Sequence, residues 1–231
     1  MTATPEVVRV PRAWGEGGDP MCEAASMDIG LKTAAVVDAG DLTEQHRLIA
    51  DALPERPVVL GGCCCTHVGA ARGLARRHGR IAVVWFDAHG DLNTPATSPS
   101  GNLWGMPFRM LLDGGDVPVE DAALIGARNL DPPEDDFIDA TGLATTPGEL
   151  DGVLDGVVGA YIALDCDVLD PSEIACFMPE PDGPSVEDVF GLIERVAGRV
   201  PVVGIGLTGL VSDPANPPRL RRFCAAAGVI S

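Results

Sequence analysis

The sequence predicts an α/β fold: a single three-layer α/β/α domain over residues 1–231, built on a mainly parallel sheet. Two observations predict it. Short β-branched apolar runs recur along the chain, too apolar to alternate, as strands buried on both faces are. Helix-like stretches separate these runs, so that strands and helices alternate. A third observation places the site. The runs end in clusters of polar residues, and open parallel sheets bind ligands beyond the carboxyl ends of their strands.

The strand candidates are 58–60 (VVL, running into Gly61-Gly62), 81–86 (IAVVWF), 123–126 (ALIG), 161–164 (YIAL) and 202–207 (VVGIGL). The helix candidates are 41–53, 68–77, 103–112, 186–197 and 218–227. Ser185 precedes the fourth helix as an N-cap, with Asp188 three residues on in a box-like arrangement. Residues 212–219 (SDPANPPR) and 145–151 are expected loops, and no internal repeat is evident.

Lys and Arg number 16 against 34 Asp and Glu, a formal charge of −18, which repels nucleic-acid backbones and anionic membranes and attracts cations. The stretch 1–20 has neither an apolar h-region nor a basic n-region, and no apolar run approaches a membrane span. A cytoplasmic protein is the expectation. The seven cysteines, three of them consecutive, read as free thiols.

Two segments at successive strand ends carry the chemistry. Asp87-Ala88-His89-Gly90-Asp91 follows one strand, and Asp165-Cys166-Asp167, with Asp170-Pro171 beyond, follows another. Side chains alternate along a strand, but where the chain turns at its end they can converge on one ion. Carboxylates buried together repel one another, and divalent cations relieve that repulsion. Mixed carboxylate and imidazole ligation suits manganese better than a thiolate-rich structural zinc site would. For one such triplet, capping and turn formation would be the simpler reading; for two it is not.

These motifs resemble the arginase–agmatinase (ureohydrolase) family. Gly61-Gly62-Cys63-Cys64 stands for its GGDH-type turn, 87–91 for its DAHxD motif and 165–171 for its DxDxxDP motif. The resemblance covers roughly 58–211. It implies two Mn²⁺ per chain, or one, with Asp87 and Asp165 bridging. Cys64 and Asp91 would complete one ion, His89 and Asp167 the other. A hydroxide between the metals would hydrolyse a linear C–N bond of an arginine- or N-hydroxyarginine-type substrate with urea release, Asp91 and His89 serving the reaction. Asn93 and Ser100 match the residues that hold an α-carboxylate, and Asp131 matches the one that holds the α-amino group. By the same analogy the partners are a small guanidino or ureido compound and further copies in a homo-oligomer, a trimer or hexamer. Nucleic acid and membrane are not expected partners.

Three departures bear on activity. Cys64 replaces an imidazole and is softer toward Mn²⁺; His67, three residues on, offers an alternative ligand. A zinc site made of 63–65 and His67 is disfavoured, since adjacent residues cannot easily wrap a tetrahedron. Trp104 stands where arginases use a His that shuttles protons; it is a candidate pocket wall able to stack on a cation. Gly209 stands where relatives supply a Glu that grips the guanidinium, leaving Glu180, Asp182 or Asp213 as replacements. His46 and His78 read as surface residues, and Cys22, Cys166, Cys176 and Cys224 as buried or neutral. The alternative function is a catalytically impaired member with a binding or regulatory role. A zinc deacetylase ranks last, because Tyr161 lies inside a strand.

Overall fold

The computed structural model describes residues 4–230. Residues 1–3, which open the stretch read for a leader, and Ser231 lie outside the described residues. Among the described residues seven strands form one sheet, every pairing parallel, in the order β2-β1-β3-β7-β6-β4-β5. They are β1 (Glu6–Val10), β2 (Lys32–Val36), β3 (Pro57–Gly61), β4 (Ala82–Phe86), β5 (Ala122–Ile125), β6 (Ala160–Asp165) and β7 (Val202–Thr208). The helices are α1 (Asp19–Ala24), α2 (Leu42–Ala52), α3 (Cys65–His78), α4 (Pro107–Asp113), α5 (Pro132–Thr141), α6 (Leu150–Val153), α7 (Val186–Arg199) and α8 (Asn216–Ala226).

Alternation along the strands divides the core in two. Ala82, Val84 and Phe86 of β4 face one layer, with Val189 and Ile193 of α7 and Leu220 and Phe223 of α8. Val83 and Trp85 face the other, with Ile49 of α2, Leu74 of α3 and Phe108 of α4. Helices thus cover both faces, as the apolar runs require. All five expected strands are present. Helix α7 is capped by Ser185, as expected: its hydroxyl accepts from Asp188 N while the Asp188 carboxylate accepts from Ser185 N. Among the described residues no helix is long and apolar enough to cross a membrane.

Three expected elements differ: the expected loop 212–219 gives way at Asn216 to α8, whose first turn accommodates Pro217 and Pro218, and two others follow. The stretch 103–112 is not one helix: Leu103–Gly105 forms a single 3₁₀ turn, and Pro107, suited to a first helical turn, opens α4. The expected loop at 145–151 instead holds a capped turn, Thr146 receiving Glu149 in a capping box, which leads into α6.

The four central strands end flush, and this builds the site. Leu60 pairs with Leu207, Leu164 with Leu207 and with Phe86, and Asp165 with Thr208. The residues that follow β3, β7, β6 and β4 therefore meet at one edge.

Candidate metal centre

Each candidate ligand is set by the strand it follows. Cys64 precedes the first residue of α3, just after β3, and Asp165 is the last residue of β6. Asp87 directly follows β4, and its Oδ1 accepts from His89 N at 2.7 Å. Asp165 Oδ1 accepts from Asp167 N at 3.0 Å, and Asp167 Oδ1 from Ala88 N at 3.1 Å. These backbone bonds tie the two motifs to each other and aim the remaining oxygens inward.

The ligand atoms form two overlapping groups. Cys64, Asp87 and Asp91 make one, and Asp87, His89 and Asp167 the other; within each group all ligand atoms lie within 4.8 Å of one another. Asp87 is common to both; Asp165 falls in neither group but stands beside the first, with Oδ2 2.6 Å from Cys64 Sγ. Asp87 Oδ2 also accepts from Trp85 Nε1 at 3.1 Å. Asp91 has a positive φ of 54° and a buried Oδ2 with no hydrogen-bond partner. Strain and an orphaned carboxylate oxygen together mark a residue held for a ligand.

The electrostatics agree. Burial, then the charges of Asp87 and Asp165, push the Asp91 carboxyl well above the usual range. Asp167 is raised the same way by burial and by Asp165 and Asp87, and Asp165, buried beside Asp87, is raised to about 6. Burial alone would pull His89 down, but hydrogen bonds and charge from Asp167 and Asp87 outweigh it and push the imidazole up to about 12. His89 Nδ1 stands 3.0 Å from Asp167 Oδ2. Burial, then Asp165, Asp91 and Asp87, also hold the Cys64 thiol well above its ordinary value. Buried acids that cannot all ionise fit a divalent cation, which would reverse these shifts.

A cavity of about 250 Å³ opens over the acids. Met21, Trp104, Phe177 and Met178 give it an apolar wall, with the Trp104 and Phe177 rings edge-to-face at 5.7 Å. Asn93, Ser100, Asn129 and Asp131 give the polar one. Asn93 Nδ2 donates to Asp131 Oδ2 at 2.8 Å, and Thr97 Oγ1 donates to Asn93 Oδ1 at 2.9 Å. Asp131 also caps α5 in a capping box with Glu134, whose other oxygen accepts from Leu92 N. Ser100 Oγ accepts from Asn102 N at 3.2 Å.

Several residues differ from expectation. His67 is no alternative ligand: its ring is buried on the far side of Thr208, bonded to Tyr161 and Thr208. His46 is not a surface residue: it is buried, with Nε2 3.0 Å from Cys65 O. Of the acids named as replacements at position 209, Asp182 and Asp213 do not line the cavity. Glu180 does not line it either, but its Oε1 lies 3.5 Å from Nε2 of His89 and 2.7 Å from Nδ2 of Asn129, both of which do. Arg128, not singled out by its chemistry, donates to the carbonyls of Gly126, Asp167, Val168, Glu180 and Pro181, tying the 177–183 segment to the site. Its position just after the turn that ends β5 was the one available signal.

Fold and site together define a three-layer α/β protein with a cluster of buried carboxylates at the carboxyl edge of its sheet, in groups that could hold a metal ion. The chain belongs to the arginase family, whose model matches residues 19–212. It is 36% identical to the arginase of Staphylococcus aureus (strain COL) over 142 residues, 51% of this chain and 47% of that one. The match thus spans about half the length of that curated relative. The fold is that of the solved arginase from Bacillus cereus, with a TM-score of 0.79 at 24% identity over 97% of this chain and 98% of that one. It is also that of formimidoylglutamase from Bacillus subtilis, with a TM-score of 0.74 at 18% identity over 99% and 86%.

Proposed function

We propose that the chain, residues 1–231 acting as one unit, is a metal-dependent hydrolase of a linear C–N bond in a small amidino, guanidino or ureido compound. The observation that carries this reading is the pair of ligand groups sharing Asp87. Cys64 and Asp91 would hold one ion, His89 and Asp167 the other, with Asp87 and Asp165 common to both. Mixed oxygen, imidazole and sulfur donors suit manganese, less firmly at the Cys64 side. When bound, the metal pair supplies Lewis-acid activation of water and of the scissile group.

The chain's own residues do the rest. Backbone donors from His89, Asp167 and Ala88 fix the carboxylates before a substrate arrives, so no reorganisation is needed later. Asp131, held by Asn93, presents a carboxylate to a substrate amine, and Ser100 with Asn93 faces a carboxylate end. Trp104, Phe177 and Met178 shield the reacting end from water.

The test is release of urea or ammonia across arginine, N-hydroxyarginine, agmatine, guanidinobutyrate and O-ureidoserine. Turnover with at least one of them is expected to need Mn²⁺ and to vanish in Asp87→Ala. A second reading, a family member that binds without turning over, is favoured by one observation. Asp165 fills the space at Gly209, where the resemblance expects the acid that grips a guanidinium. Turnover equal to the blank across the panel, with Mn²⁺ bound, would select it.

A further inference from the structure

Behind Cys64 runs a buried polar chain that hydrolysis, as read above, leaves unused. His67 lies one turn past Cys64 on α3, with its ring wholly enclosed. Its Nδ1 is 2.9 Å from the Tyr161 hydroxyl and its Nε2 is 3.0 Å from Thr208 Oγ1. Thr208 Oγ1 in turn lies 3.4 Å from Cys64 Sγ and 3.3 Å from Asp165 Oδ2. Room for the imidazole and the phenol exists because residue 206 is glycine. A Cβ there would meet His67 Cε1 at 2.7 Å and collide with the Tyr161 hydroxyl.

Counting protons gives the chain a direction. Among the described residues, the partner of the Tyr161 hydroxyl is His67 Nδ1. A buried hydroxyl that fails to donate is left with its proton unsolvated, so Tyr161 donates and Nδ1 accepts. Among the described residues its two ring nitrogens meet hydroxyls and no carboxylate, so the enclosed imidazole is neutral. A neutral imidazole has one N–H. It must therefore sit on Nε2 and donate to Thr208, which frees the single Thr208 proton to point onward. The forward acceptors are Cys64 Sγ and Asp165 Oδ2, with Leu164 O at 3.4 Å as competitor. In the opposite tautomer Thr208 would spend its proton on His67, and the two ligands would face only lone pairs.

We infer that Tyr161, His67 and Thr208 form a positioning relay that holds one hydrogen-bond donor against the Cys64 thiolate and Asp165. The relay orients the sulfur as a metal ligand where the resembled family places an imidazole. Such outer contacts fix a ligand's direction and basicity, and losing one typically costs 10–100-fold in metal affinity. The inference rests on the reading of Cys64 as a ligand.

Cobalt(II) loading tests both and keeps them apart, because a thiolate bound to Co²⁺ gives a charge-transfer absorption that reports on the sulfur. Wild type is expected to show this band and Cys64→Ser to lack it. A wild type without the band would remove Cys64 from the ligand set, and the relay would fall with it. Where the band is present, Tyr161→Phe and Thr208→Val test the relay by near-isosteric loss of one hydroxyl each. Variants confirmed as folded by circular dichroism should shift the band and bind Co²⁺ about tenfold more weakly. Wild-type band position and affinity in both would overturn the relay and leave Cys64 as a ligand.

Discussion

The Asp165 carboxylate stands where a side chain at position 209 would have to be. A Cβ on Gly209 would lie 2.6 Å from Asp165 Cγ, and the backbone there has φ +67°. Both the carboxylate and the left-handed conformation exclude other residues. Gly209→Ala is expected to cost about 1–3 kcal/mol through backbone strain alone and to displace Asp165 as well. Gly209→Glu should likewise lose metal, without gaining arginine turnover. Thermal unfolding and metal content check this; a Gly209→Ala protein with wild-type values for both would contradict it.

Arg128 serves five carbonyl oxygens from one planar head group. A lysine has three donors on a point charge and cannot reach all five. Arg128→Lys should leave part-buried acceptors without their donor, at about 0.5–1.5 kcal/mol each before relaxation. It should also loosen Glu180 from its place beside His89. Faster proteolysis within 177–183, with a lower midpoint in urea, is the expected result.

Asp131 has two separable roles. Its carboxylate caps α5 and accepts from Asn93 Nδ2. Asparagine caps nearly as well as aspartate, so Asp131→Asn should cost little stability, whereas Asp131→Ala should cost about 1 kcal/mol. If the charge also anchors a substrate amine, Asp131→Asn should raise KM while leaving kcat little changed. An unchanged KM would leave Asp131 as a cap alone.

His46 gives the stability a pH dependence of known sign. Burial, then the nearby Arg72 charge, lowers its pKa to about 4, against the opposing bond to Cys65 O. The unfolded chain, at an ordinary 6.5, binds the proton more tightly than the fold does. The stabilisation is therefore full above pH 6.5 and is lost as pH falls toward 4. Across that window wild type should lose up to about 1.4 kcal/mol per pH unit relative to His46→Gln. A stability difference independent of pH would refute the assignment.

Legibility in the sequence followed burial. The central strands β3, β4, β6 and β7 are enclosed on both faces and read as apolar runs. β1 and β2 did not: EVVRV and KTAAV carry charges, and β2 is a largely exposed edge. Helix α5 was hidden by Pro132-Pro133, although proline is tolerated in the first turn and Asp131 with Glu134 spells a capping box. The acidic ligands were legible because DAHGD and DCD keep their chemistry within a few residues. The Tyr161–His67–Thr208 chain was not. It joins α3, β6 and β7, and only their packing around Gly206 brings the three side chains into line.

The most direct test of the central claim is the number of Mn²⁺ ions per chain, measured by elemental analysis after loading and gel filtration. Two per wild-type chain, falling to one or none in Asp87→Ala, is the expected result. A wild-type chain that retains none would contradict the metal centre and the hydrolytic reading built on it.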